Sequence, residues 1–128
     1  MAVPVVALYG ALNALLNVAL ALRVSVGRLR QKVSLGTGDS RALEIAVRTH
    51  ANSAEFVPLA LVLLLIAELL GGSSLALHAL GGTLLVARVL HAIGMERKAP
   101  NVPRALGAIL TYLLIAGVSA WLLVLRAA

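Results

Sequence analysis

The chain has no cysteine, so disulfides and thiolate metal sites are both excluded. Charge is scarce as well: 12% of its 128 residues are Asp, Glu, Lys or Arg, about half of what a soluble domain carries. Aromatic residues number one Trp, two Tyr and one Phe. That is too few for a platform on which nucleobases could stack, so the net charge of +6 does not point to nucleic acid. No hydrolase triad, zinc signature or phosphate-binding loop is present, and no metal ligand set is expected. What the chain does have is apolar sequence, with 61% hydrophobic residues and a mean hydropathy of +1.00. A soluble bundle of that composition would expose apolar patches well beyond what water tolerates. The composition therefore predicts an all-α integral membrane four-helix bundle in a lipid bilayer.

Residues Val3 to Leu22 and Ala105 to Leu125 contain no charge, and each run is long enough to cross a hydrocarbon core. The first is not read as a signal peptide, because its basic residues follow the apolar stretch. Phe56 to Ala67 and Leu75 to Ala87 are shorter charge-free runs around Gly71-Gly72-Ser73-Ser74. That turn supplies glycine to end one helix and serine to cap the next. A second break, Ala99-Pro100-Asn101-Val102-Pro103, leads into the last helix. The expectation is one transmembrane domain spanning 1–128, with helices over roughly 3–30, 41–70, 74–97 and 102–126.

Basic residues concentrate in the first loop (Arg23, Arg28, Arg30, Lys32, Arg41) and around the third (Arg97, Lys98, Arg104). By the positive-inside rule these two loops are cytoplasmic and both termini lie outside. Most of these charges read as anchors and topology signals.

The informative pattern lies in the second helix. Arg41, Glu44, Arg48, Asn52 and Glu55 fall within about 80° of arc and form one stripe. Pro58 follows and frees the carbonyl of Ala54. Ionisable groups at membrane depth pair with one another or line a polar site; a network that only joins helices is the competing reading. If the hairpin centres on Gly71 and Gly72, Glu55 is level with Arg88, Asn52 with His91 and Arg48 with Met95. Arg88, His91 and Met95 share one face of the third helix. Glu55 and Arg88 are thus expected to form a buried pair, and His91 to act as a hydrogen-bonding partner or proton carrier. Arg104, in the first turn of the fourth helix, opposes the helix dipole by roughly 0.3–1 kcal/mol unless an anion sits beside it. Asn13 and Asn17 read as interhelical hydrogen-bonding residues; Glu68 and His78 receive no role.

The run Arg48-Thr49-His50-Ala51-Asn52-Ser53-Ala54-Glu55-Phe56-Val57-Pro58 resembles the R-x-[HQ]-x-N-x-x-E-x-x-P signature of the MAPEG family. These are membrane-associated proteins in eicosanoid and glutathione metabolism. The likeness extends over nearly the whole chain and is closest to small bacterial members related to microsomal glutathione transferases. It implies an inner-membrane homotrimer with glutathione, as co-substrate, bound between subunits and open to the cytoplasm. By that resemblance Arg48, Asn52 and Glu55 hold the tripeptide, and His50 contributes across the subunit boundary. Arg28 meets a substrate carboxylate, Arg104 stabilises the thiolate, and Arg88 and His91 complete the binding set. His50 lies 200° from Arg48 on the helical wheel, which fits a different partner. Where eukaryotic members present tyrosines, this chain has Phe56, His91 and Met95. The implied activity is conjugation of the glutathione thiol to a lipophilic small molecule, or reduction of a lipid hydroperoxide. The alternative from another class is a non-catalytic membrane protein holding lipid or another anionic ligand in the same intersubunit groove. A small transporter fits less well, because the polar residues cluster in one half of the membrane.

Overall fold

A computed structural model describes residues 2–126 as four helices and, among the described residues, no strand. They are α1 (Pro4–Gln31), α2 (Arg41–Leu69), α3 (Ser74–Met95) and α4 (Val102–Leu125), and each is long and apolar enough to cross a membrane. The helices alternate in direction. One end of the bundle therefore carries the α1–α2 and α3–α4 loops with most of the basic residues. The opposite end carries the α2–α3 hairpin.

Local sequence explains where the helices stop. Lys32, in the left-handed region at φ 54°, closes α1, with its own N–H and that of Val33 directed at the carbonyls of Leu29 and Arg28. Arg28 and Arg30 in the last turn complement the helix dipole. Ser40 opens α2 by accepting a hydrogen bond from the Leu43 N–H at 3.3 Å. Pro58 is accommodated inside α2 without ending it. At the hairpin, Gly71 takes φ +79° and the Gly72 N–H reaches back to the Ala67 carbonyl at 2.9 Å. The expected serine cap of α3 does not form: Ser73 occupies the N-cap position, but its side chain accepts no cap hydrogen bond. α3 also stops two residues short of the expected 97, because the Glu96 and Arg97 N–H groups turn to the carbonyls of Ile93 and Gly94.

Apolar packing is concentrated toward the hairpin end. Val5, Ala60, Leu64, Ala67, Leu77, Leu84, Leu114 and Val118 form the core, with Trp121 packed against it. Glu68, next to Ala67 at the core's end, supplies an unexpected link. Its two carboxylate oxygens accept the N–H groups of Val5 and Val6 at 3.0 and 2.8 Å, capping α1 where Val3 offers no side-chain cap. A carboxylate in the last turn of its own helix opposes that helix's dipole, but it complements the first turn of α1. Tyr9 and His78 stack edge-on nearby, with the Tyr9 ring lying directly over Gly81.

α3 and α4 approach most closely. A Cβ on Gly107 would fall 2.6 Å from the Ala87 carbonyl oxygen, and one on Gly94 would collide with the Arg104 backbone. Glycine is required at both crossings because backbone meets backbone there.

Candidate functional site

The α3–α4 crossing fixes where Arg104 stands. Asn101 is the N-cap of α4: its Oδ1 accepts the Arg104 N–H at 3.0 Å, while its Nδ2 donates to the carbonyls of Gly94 (2.9 Å) and Lys98 (3.3 Å). One side chain therefore ties the end of α3, the loop and the first turn of α4 together. With Gly94 packed against the backbone of Arg104, the guanidinium is held at the rim of a cleft at the basic end.

That cleft has a volume of about 560 Å³ and lies between the first turns of α2 and the α3–α4 loop. Arg41, Glu44, Ile45 and Arg48 line one side; Met95, Glu96, Arg97, Lys98, Ala99 and Arg104 line the other. Both acids are already paired. Glu44 accepts from Arg41 at 2.8 Å, and Glu96 pairs with Arg23 of α1. Arg48, Arg97, Lys98 and Arg104 have no carboxylate partner among the described residues. The cleft is therefore a cationic recess suited to an anionic ligand, with guanidinium groups able to grip carboxylates in a bidentate way.

Deeper in the bundle, Arg88 is buried and its Nη2 donates to Asn52 Oδ1 at 2.8 Å. This differs from the expected Glu55–Arg88 pair. Asn52, about one turn before Glu55 on α2, is the partner that Arg88 reaches, while Glu55 stands exposed on α2. Ser53 Oγ, Arg88 Nε and His91 Nδ1, with Asn13 Oδ1 and Asn17 Oδ1 of α1, are buried without a hydrogen-bond partner among the described residues. His91 itself packs beneath Gly107 of α4.

Of the residues singled out from sequence, one chain thus brings Arg48 and Arg104 to a common cleft and joins Asn52 to Arg88. It does not bring Arg28, His50 or Glu55 there. Arg28 donates to the Gly36 carbonyl at 2.6 Å, folding the first loop back on α1, and lines a separate shallow hollow with Lys32. His50 is half-buried on another face of α2 and lines no part of the cleft. Phe56 rests against Tyr112 of α4 with ring centroids 5.3 Å apart, and Met95 presents a thioether to the cleft.

The α2 stripe has a direction as well as a composition. The buried face of α2 runs through Leu43, Ala46, Ser53, Val57, Ala60 and Leu64. The stripe centres about 150° around the helix from that face. Arg41, Glu44, Arg48 and Glu55 are accordingly exposed on the surface of a single chain.

The break before Pro103 marked the start of the last helix, but Asn101 was not singled out as its cap or as the residue that positions Arg104. Gly94, Gly107 and Glu96 also matter to the cleft, and nothing in their local spacing marks them.

Comparison with known proteins agrees with the helical pattern. The MAPEG family model matches residues 6–124. The chain is similar to the inner membrane protein YecN of Escherichia coli strain K12, with 35% identity over 92 residues, covering 72% of this chain and 70% of that protein. The protein of the same name from Escherichia coli O6:H1 strain CFT073 matches with the same identity and coverage.

Proposed function

From the premise that the chain belongs to the MAPEG family, we propose that it binds glutathione in the cationic cleft and joins the thiol to a lipophilic electrophile, or uses it to reduce a lipid hydroperoxide. The observation that carries this reading is the convergence of Arg48 from α2 and Arg104 from α4 on one cleft whose acids are both already paired. A tripeptide with two carboxylates gains charge-assisted hydrogen bonds there. Arg104 would face the thiol. A guanidinium favours the thiolate over the thiol, so the proton leaves to solvent and the sulfur lone pair attacks the electrophile. Arg48 and Asn52 would hold the peptide backbone and carboxylate, with Arg88 orienting Asn52 from behind. The electrophile would arrive laterally from the bilayer.

The assembly follows from the same face. Arg48 and Glu55 exposed on a membrane-spanning helix are costly against lipid. A second copy that covers the stripe removes that cost, and a homotrimer with α2 near its axis would do so three times. Glu55, His50 and Arg28, which one chain leaves outside the cleft, would then meet the ligand across the boundary. The basic loops support an orientation with this end in the cytoplasm and both termini outside.

A second reading has its own support. Met95 carries no hydroxyl into the cleft and Phe56 is engaged with Tyr112. A site that holds an anionic ligand without activating a thiol fits those residues.

A glutathione titration of the detergent-purified protein, followed by calorimetry and by thiolate absorbance, separates the readings. Binding with a thiolate signal that disappears in Arg104→Ala supports the transferase. Binding without thiolate supports the second reading. No binding by glutathione, with retention of other anions, rejects the first.

A further inference from the structure

A second recess of about 490 Å³ opens between α1 and α2 at the basic end. Leu22 and Val26 of α1 and Ala46 of α2 line its apolar part; Arg23, Arg30 and Gln31 line its polar part. Leu22 and Val26 are exposed, so the recess opens sideways. Gly27 lets the two helices converge at its back, since a Cβ there would reach the Leu43 side chain at 3.0 Å.

The long axis of the recess follows α1. That helix has 28 residues and is about 42 Å long, more than the ~30 Å hydrocarbon core requires. Its charge-free run ends at Leu22. Ala19 and Leu22 therefore border the hydrocarbon, while Arg23 and Arg30, two turns apart, stand at the level of the lipid headgroups with Val26 between them. Arg30 has no carboxylate partner among the described residues. Arg23 has one, Glu96, and both side chains of that pair are partly exposed, at 39% and 44%. A weakly held exposed ion pair is open to exchange.

We propose that this recess binds one anionic glycerophospholipid drawn from the bilayer. An acyl chain runs past Leu22 and Ala19 into the hydrocarbon, and the phosphate sits over Val26 between Arg30 and Arg23, taking the place of Glu96 on Arg23. Two cations at the mouth of an apolar groove suit a headgroup with net negative charge better than a zwitterionic one. The exchange releases the Glu96 carboxylate, which lines the cationic cleft on its other side. The site uses a different face of α2 from the glutathione cleft and does not require glutathione to bind, although the two share Glu96.

The test is a lipid titration of the full chain in detergent, read by native mass spectrometry and thermal unfolding. Phosphatidylglycerol, phosphatidylcholine and glycerol phosphate are compared. The expected result is one retained phosphatidylglycerol per chain, with weaker retention of phosphatidylcholine and no response to glycerol phosphate. Arg30→Ala should weaken retention about fivefold. Glu96→Gln should strengthen it, because Arg23 is then free. A purely structural ion pair predicts lost stability and no gain in lipid for Glu96→Gln. Equal retention of the two lipids, an equal response to glycerol phosphate, unchanged binding in Arg30→Ala, weaker binding in Glu96→Gln, or a recess closed to lipid by a second copy would each overturn the proposal.

Discussion

Arg88 on α3 meets its hydrogen-bond partner Asn52 on α2 across 2.8 Å, and that partner is neutral. The buried guanidinium thus depends on an amide oxygen where a carboxylate was expected. Asn52→Leu leaves a charged donor unmatched and should destabilise the protein by about 1–3 kcal/mol. Arg88→Met in the same background should recover part of that loss. Glu55→Gln should leave the stability of a dissociated single chain nearly unchanged. Thermal unfolding of the three variants and the parent chain in one detergent decides the matter; a Glu55→Gln loss as large as that of Asn52→Leu would restore the direct carboxylate pairing.

The Glu68 cap makes a separate prediction at the opposite end. Glu68→Ala removes the acceptor for two backbone N–H groups and should cost about 1–2 kcal/mol. Amide exchange at Val5 and Val6 should accelerate in that variant while amides in the middle of α1 stay protected. Uniform acceleration along α1 would mean that Glu68 acts on the whole helix and not on its first turn.

Backbone contact between α3 and α4 sets a stricter limit. Gly94→Ala should displace the first turn of α4, because the added carbon collides with Arg104. Asn101→Ala should lose the cap and the contacts to Gly94 of α3 and Lys98 of the loop, at about 1–2 kcal/mol. Both variants should weaken anion binding in the cleft more than Gly117→Ala, where an added carbon meets nothing within 4 Å. Equal binding by all three would detach Arg104 from the ligand site.

Orientation in the membrane is testable without any ligand. A periplasmic alkaline phosphatase reporter fused after Arg126 should be active, and one inserted near Thr37 should be silent. The reverse pattern would put the cationic cleft on the opposite side of the membrane.

Sharing of the site between subunits predicts complementation. His50→Ala and Arg48→Ala, each deficient in glutathione binding alone, should recover part of it when co-expressed and isolated as mixed trimers. Two differently damaged chains can combine their intact halves at one boundary. No recovery in verified mixed trimers, or a chain that stays monomeric in mild detergent, rejects the shared site.

The four helices were legible because length, hydropathy and the placement of arginine all point the same way in each segment. The face of α2 that carries Arg48 and Asn52 was legible for the same reason, since helical periodicity is local. The pairing across the hairpin was not. A count centred on Gly71 and Gly72 gives only depth, and a long arginine side chain can reach a residue one turn away; Arg88 takes Asn52 and leaves Glu55 exposed. The break around Pro103 announced a helix start, but the hold of Asn101 on Gly94 depends on two helix ends meeting in space. Glu68 was the least legible of all. Its partners lie 62 and 63 residues away, and a carboxylate in a last turn has no local reason to be there.

That same carboxylate bears on how the chain is built. α1 leaves the ribosome some sixty residues before Glu68 does, so its first turn enters the membrane with the Val5 and Val6 amides still lacking their acceptor. Unmatched amides are poorly tolerated in hydrocarbon, which holds that end of α1 at the water boundary until α2 has been synthesised. Once Glu68 arrives, the first two helices are latched as a hairpin at their far end. α3 and α4 then dock onto a pair whose register is already set.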